Sequence, residues 1–138
     1  MGIKVTALMH AGVRVGPSDE DIAKAKDFYQ DMLGLETDGN RPVIKGIPGF
    51  WSNIHEGSRK QQIHVMGAEG ESPQARSAKQ DPTRSHIALA VESLPDAVAE
   101  LEARGVEYWV YESLVGKASN QVFFEDPFGN MIELQQAQ

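Results

Sequence analysis

Apolar and polar residues alternate over residues 5–15 (VTALMHAGVRV), and this period of two predicts a β-strand. His10 falls on the opposite side of the alternation from the valines, so its side chain should face away from theirs. Farther along, apolar positions recur every three or four residues, which predicts a helix over about residues 19–33. Ser18 is a suitable N-cap for this helix and Gly34 a suitable stop. Three short strands are predicted to follow, around Pro42–Lys45, Phe50–His55 and Gln61–Met66.

The same order of predicted elements occurs a second time, after a polar segment. Residues 68–84 are polar, contain prolines and are almost free of large apolar side chains, which predicts a linker or mobile loop. After them SHIALAV predicts a strand, and Ser93 begins a helix that stops at Gly105. Three more strands are predicted, near Glu107–Glu112, Asn120–Glu125 and Met131–Gln136. The chain is therefore predicted to be one α+β domain with two βαβββ modules, at residues 1–67 and 85–138, joined by the loop.

The two halves also correspond at single residues. His10 in LMHAGVRV and His86 in RSHIALAV occupy the same place in the first strand of each half. The last strands match in the same way, with His64 in QIHVMG and Glu133 in MIELQQ. This correspondence indicates an internal duplication. Glu133 lies between two apolar residues, and burying a carboxylate there would be costly without a cation or another partner.

Composition narrows the classes of partner. The chain has no cysteine, so any metal must be held by nitrogen and oxygen ligands. Its formal net charge is -7 and its basic residues are scattered, which argues against a nucleic-acid partner. No apolar run approaches the roughly 20 residues of a membrane span, and no basic amphipathic helix suggests a membrane surface. A soluble cytoplasmic protein that binds a small molecule is expected.

Several segments together resemble the vicinal oxygen chelate superfamily, which includes glyoxalase I, methylmalonyl-CoA epimerase, extradiol dioxygenases, fosfomycin-resistance enzymes and bleomycin-binding proteins. These segments are LMHAGVRV, SHIALAV, FYQDMLGLE and FFEDPFGNMIELQQ, and the resemblance covers nearly the whole chain. It implies that the two βαβββ modules form an incomplete barrel around a metal site. It also implies a homodimer.

In that superfamily the metal ligands lie on the first and last strand of each module. The resemblance therefore implies that His10, His64, His86 and Glu133 bind one divalent ion. Such ligands suit Zn, Fe(II), Mn, Co or Ni, whereas imidazole is a poor ligand for hard ions such as Ca. Many glyoxalase-like members have Glu or Gln at the position of His64, so the resemblance leaves the reaction type open.

The expected function is that of a metal-dependent lyase or isomerase of the glyoxalase or epimerase type, whose small substrate chelates the metal through adjacent oxygens. Glu133 is expected to move the proton if it can leave the metal, and otherwise Glu56, Glu125 or Tyr111 would be the base. One alternative is a non-haem Fe(II) dioxygenase of the extradiol type, which uses two histidines and a carboxylate. Another is a metal-free resistance protein that binds a drug.

Overall fold

The computed structural model describes residues 2–54, 61–116 and 119–137, which form eight strands and two α-helices. The predicted α+β class and the order strand, helix, strand, strand, strand in each half are confirmed. No helix in these three ranges is both long enough and apolar enough to cross a membrane. The elements are β1 Val5–Val15, α1 Asp19–Lys26, β2 Glu36–Thr37, β3 Gly49–Asn53, β4 Gln62–Gly67, β5 His86–Val91, α2 Leu94–Ala103, β6 Tyr108–Glu112, β7 Asn120–Glu125 and β8 Met131–Gln136.

The strands form one mixed sheet in the order β2-β3-β4-β1-β5-β8-β7-β6. The order ends at β2 and β6, so the sheet is not closed. The chain divides into two compact units, an N-terminal unit at His10–Ser85 and a C-terminal unit made of Met1–Met9 and His86–Gln138. Strand β1 belongs to both, because its first residues are part of the C-terminal unit and the rest pair with β4.

The predicted duplication is visible in the strand register. In the N-terminal unit β1 and β4 are parallel, and Gly12 pairs with His64. In the C-terminal unit β5 and β8 are parallel, and Ala88 pairs with Glu133. Gly12 and Ala88 each lie two residues after the histidine of their own strand. His64 and Glu133 therefore occupy equivalent positions in the two halves.

Helix α2 packs on one face of the C-terminal sheet, over a cluster of apolar side chains. Ser93 Oγ accepts a hydrogen bond from the Asp96 N–H at 3.2 Å, which caps the helix as predicted. Full burial of a leucine stabilises the fold by about 2 kcal/mol, so this apolar layer holds the strands in register. Its buried members are Val91, Ala97, Leu101, Val122 and Leu134.

The predicted helix at 19–33 has two parts. Ser18 caps α1 by accepting from the Asp21 N–H at 3.0 Å. From Asp27 to Met32 the backbone is π-helical. The N–H of Leu33 donates to the carbonyl of Phe28, five residues earlier, at 3.0 Å. The spacing of apolar residues in the sequence predicted the helix but not its π-helical turn.

The strand predicted at Pro42–Lys45 is wrong, because these residues lie in a loop. Pro42 has no N–H to donate to a strand partner. The N–H of Ile47 donates back to the carbonyl of Ile44 at 3.0 Å, which closes a turn. The Arg41 guanidinium donates to the carbonyl of Ile47 at 2.9 Å. The short strand of this region is β2 instead.

Residues 68–84 contain neither helix nor strand, but Asp81 anchors them. Its carboxylate is 2% exposed and accepts four hydrogen bonds of 2.7 to 2.9 Å, from the N–H and hydroxyl groups of Ser72 and Thr83. Arg14 on β1 adds an ion pair at 3.3 Å. Burial by itself raises the pKa of Asp81, but these hydrogen bonds favour the ionised form, and the pKa lies below its ordinary 3.8.

Replacing Asp81 with Ala should lower the free energy of unfolding by about 3 kcal/mol at pH 7, because buried donors lose their acceptor. Urea unfolding followed by circular dichroism measures the change. Exposed Glu71 in the same loop is the matched control, and Glu71→Ala should change the free energy by less than about 0.5 kcal/mol. Equal effects of the two substitutions would refute the anchoring role.

The contribution of Asp81 to the free energy of unfolding should also decrease as the pH falls. Its pKa is lower in the folded chain than in the unfolded chain, so the contribution is complete well above 3.8 and is lost as the pH falls through the folded value. The difference in the free energy of unfolding between the wild type and Asp81→Ala should therefore become smaller in acid. A difference that stayed constant down to the acid transition would contradict this.

Candidate metal centre

His86 and Glu133 form a buried pair on neighbouring strands of the C-terminal unit. His86 Nε2 lies 3.0 Å from Glu133 Oε1, and the two side chains are 3% and 1% exposed. The parallel register of β5 and β8 places Glu133 opposite Ala88, two residues after His86. Because side chains alternate between faces, both lie on the sheet face that α2 does not cover.

The second oxygen of Glu133 is held by two amides. Oε2 accepts from Gln121 Nε2 at 3.2 Å and from Gln135 Nε2. Gln121 lies on β7 and is 5% exposed, and Gln135 follows Glu133 by two residues on the same strand and face. The amide donors to Oε2, together with His86 beside Oε1, stabilise the ionised carboxylate at a position with almost no exposure to water.

An aromatic cluster lies on the same face of the C-terminal sheet. Phe123 pairs with Glu133 across β7 and β8, and its ring meets His86 edge-on at a centroid distance of 5.9 Å. Trp109 stacks on Phe123 at 6.3 Å, and Tyr111 meets it edge-on at 5.9 Å. These apolar rings exclude water from the side of Glu133 that faces β6 and β7.

In the N-terminal unit, His64 is the middle ring of a stack. Its ring lies 3.6 Å from that of His10 at an interplanar angle of 14°. On the other side it lies 4.4 Å from the indole ring of Trp51, at 8°. Trp51 is the residue that pairs with His64 across β3 and β4, as Phe123 pairs with Glu133 in the other unit. His64 Nε2 lies 2.8 Å from Gln62 Oε1.

Three of the four predicted ligands meet the geometric requirement for holding one ion. His10, His86 and Glu133 are buried, each offers one ligand atom, and these atoms lie within 4.8 Å of one another. Two imidazoles and one carboxylate are a donor set that suits a divalent transition metal, so the residues fit the expected cofactor. His64 is not part of this group. Glu56, predicted as a candidate base, lies outside the described residues.

The sequence analysis missed the amides around the predicted residues. Gln62 precedes His64 by two positions and Gln135 follows Glu133 by two. The period of a strand places residues so spaced on one face, and that spacing could have identified them. Gln121 had no such signal, because β7 is adjacent to β8 only in the folded sheet.

Solved structures share this fold. The methylmalonyl-CoA epimerase from Mycobacterium tuberculosis is 23% identical with a TM-score of 0.70, over 100% of this chain and 92% of that chain. The Streptomyces coelicolor methylmalonyl-CoA epimerase, in complex with 2-nitronate-propionyl-CoA, is 18% identical with a TM-score of 0.68, over 97% and 99%. Homoprotocatechuate 2,3-dioxygenase from Brevibacterium fuscum is 16% identical with a TM-score of 0.68, over 99% of this chain but 34% of that one.

A search of curated proteins found no match. A family model, however, agrees with the resemblance inferred from the motifs. The family model described as the Glyoxalase/Bleomycin resistance protein/Dioxygenase superfamily matches residues 9–134, a span that includes all four predicted ligands. The chain therefore belongs to the Glyoxalase/Bleomycin resistance protein/Dioxygenase superfamily.

Proposed function

We propose that this protein is a metal-dependent isomerase or lyase of the epimerase or glyoxalase type, acting on a small molecule that chelates the metal through two adjacent oxygens. The observation that carries the proposal is the buried group of His10, His86 and Glu133. Membership of the superfamily supports it, as does a fold shared with epimerases over nearly the full length of both chains.

His10, His86 and Glu133 would hold the divalent ion, which is Zn, Fe(II), Mn, Co or Ni. When bound, this ion would supply Lewis-acid chemistry by polarising the substrate's oxygens. His64 was predicted as a fourth ligand, and its ring lies 3.6 Å from that of His10. It would complete the set of four beside the three-residue group.

Glu133 would also move the proton next to the substrate's carbonyl. Gln121 and Gln135 orient Oε2 and stabilise the carboxylate in its ionised, proton-accepting form. The aromatic cluster would keep water from the carbon that loses the proton. Tyr111, buried on the same face, and Glu56 and Glu125 remain the alternatives for this role.

The substrate we would test first is an acyl-CoA ester with an acidic carbon between two carbonyl groups. Such a compound offers two neighbouring oxygens to a metal and a proton that a carboxylate can remove. The solved epimerases of the same fold are the reason for this choice. We also propose a homodimer, because Val5 on β1 and Ile87 on β5 lie on the same sheet face and are 50% and 42% exposed, and a second copy would cover apolar side chains of this kind.

A second candidate is a non-haem Fe(II) dioxygenase. Two histidines and one carboxylate, with His64 left out, are the ligand set of that class of enzyme. The fold shared with homoprotocatechuate 2,3-dioxygenase supports this reading, although this chain spans only 34% of that one. A metal-free drug-binding protein would have no need for a buried group of two imidazoles and a carboxylate.

Metal analysis of protein purified without an affinity tag should find about one equivalent of a transition metal per chain. His86→Ala should lose it, because one of three ligands is removed, while circular dichroism shows a folded chain. His64→Ala should weaken binding less. His55→Ala, which removes the remaining histidine, is the matched control and should keep the metal. Stoichiometric metal in His86→Ala would refute the site.

Proton exchange separates the two candidate reactions. The metal-loaded protein, incubated without oxygen with methylmalonyl-CoA in deuterated water, should exchange the proton between the two carbonyl groups, as followed by NMR. Glu133→Gln should slow exchange at least about 100-fold. Absence of exchange, together with oxygen uptake on a catechol by the Fe(II) form, would overturn the isomerase assignment in favour of the dioxygenase.

A further inference from the structure

The loop between β2 and β3, residues 39–48, carries two basic side chains and no carboxylate. These are Arg41 and Lys45, and no ion pair between described residues includes either of them. The chain as a whole has 20 acidic residues against 13 basic ones. Two cations without a counterion in one short loop of so acidic a chain produce a local positive potential, which favours anions.

Arg41 is partly buried, and its guanidinium uses little of its capacity to donate hydrogen bonds. A guanidinium has five N–H donors. Within the described ranges Arg41 makes one hydrogen bond, from Nη2 to the carbonyl of Ile47 at 2.9 Å, and its Nε is buried without an acceptor. Burial lowers the pKa of Arg41, yet a guanidinium keeps its charge at neutral pH. A buried charge with few partners costs free energy, and an anionic ligand would reduce that cost.

A closed turn holds Lys45 beside Arg41. The N–H of Ile47 donates to the carbonyl of Ile44 at 3.0 Å, and Gly46 has a φ of 77°, the left-handed conformation that such a turn uses. Lys45 comes two residues before Ile47, so their Cα atoms are at most about 7 Å apart. Because Arg41 binds the carbonyl of Ile47, its guanidinium and the exposed side chain of Lys45 are close enough to contact one ligand.

The neighbouring loop, residues 68–84, holds this turn in place. Gln74 Nε2 donates to the carbonyl of Lys45 at 2.8 Å. Pro73 lies so near Gly46 that a Cβ at Gly46 would be 2.8 Å from the proline ring. The neighbouring loop has three basic and three acidic residues, so it does not cancel the charge of the turn. Since the turn is formed without a ligand, binding avoids the entropy cost of ordering it.

We propose that Arg41 and Lys45 bind a phosphate group of the small molecule on which this protein acts. A guanidinium can donate two parallel N–H···O bonds to a phosphate, and an ammonium adds a second positive charge. A phosphate monoester carries nearly two negative charges at neutral pH, which matches two cations better than a single carboxylate does. The ligand assignment rests on the proposed function, because an acyl-CoA ester carries its phosphates far from its acidic carbon.

The loop begins beside the residues that surround His64. The N–H of Asp38 donates to the carbonyl of Trp51 at 2.8 Å, and the indole of Trp51 stacks on His64. Arg41 is three residues beyond Asp38, so the Cα atoms of these two residues are at most about 11 Å apart. One elongated molecule can therefore have one end near His64 and a phosphate at the turn.

Binding of inorganic pyrophosphate and of coenzyme A to the metal-free protein tests the site without any reaction. Isothermal titration calorimetry at low salt should detect both ligands, with affinities that fall as salt is added. Arg41→Gln should weaken binding at least about tenfold, because charge-assisted hydrogen bonds are lost. Lys45→Gln should weaken it several-fold and leaves the turn intact, because only the backbone of Lys45 holds the turn.

Lys24→Gln is the matched control, because it removes the same charge from an exposed ion pair in the same unit. It should change neither affinity. Equal affinities in all three variants, or no binding by the wild type, would overturn the proposal. Tighter binding of coenzyme A than of pyrophosphate supports the phosphates of a larger substrate, and the reverse order overturns that source in favour of a free phosphate compound.

Kinetics then separates phosphate binding from a merely structural role of Arg41. With methylmalonyl-CoA, Arg41→Gln should raise KM at least about tenfold and leave kcat nearly unchanged, because a phosphate far from the reacting carbon binds equally in the ground and transition states. With the pantetheine ester of the same acyl group, which has no phosphate, variant and wild type should have the same KM. An equal rise in KM for both esters would overturn the proposal. Failure of both esters to react would refute the proposed function alone, since the calorimetry needs no reaction.

Discussion

The carboxylate of Glu133, 1% exposed, is the group on which the arrangement of the C-terminal unit depends. A buried charge is tolerated only where donors or a cation surround it. His86, Gln121 and Gln135 supply those partners, and they come from three adjacent strands. A slip of one residue in the register of β5 or β7 against β8 would turn a partner to the face packed by α2. Correct pairing and a satisfied carboxylate therefore require each other.

The N-terminal unit uses the same backbone register with different chemistry. His64 occupies the position equivalent to Glu133, and Trp51 the position equivalent to Phe123. Two carboxylates, Asp38 and Glu36, are connected to the imidazole through the amides of Gln62 and Asn53. Duplication thus preserved the strand register, while a carboxylate in one half corresponds to an imidazole in the other.

The two equivalent positions differ in chemistry. The carboxylate of Glu133 can carry a negative charge and accept a proton, whereas the imidazole of His64 is held by stacking on Trp51 and by Gln62. Aromatic side chains lie beside both positions, because Phe123 pairs with Glu133 across the sheet and Trp51 stacks on His64.

Much of this organisation could be predicted from local pattern. The alternation in β1, β5 and β8 placed His10, His86 and Glu133 on defined faces, and the repeat identified His64 as the counterpart of Glu133. These predictions hold because the direction of a side chain in a strand depends on its neighbours in the chain. The repeated order of elements was predictable for the same reason, and the motifs indicated the superfamily.

The sequence by itself thus determined most of the elements, the duplication and the candidate ligands. Only the tertiary structure decided that His64 stacks between His10 and Trp51, that Gln121 reaches Glu133, and that Pro42–Lys45 is a loop. Each of these depends on which strands become neighbours and on how side chains rotate to satisfy buried donors and acceptors. Those choices are made by contacts between residues far apart in the chain, and a local pattern carries no information about them.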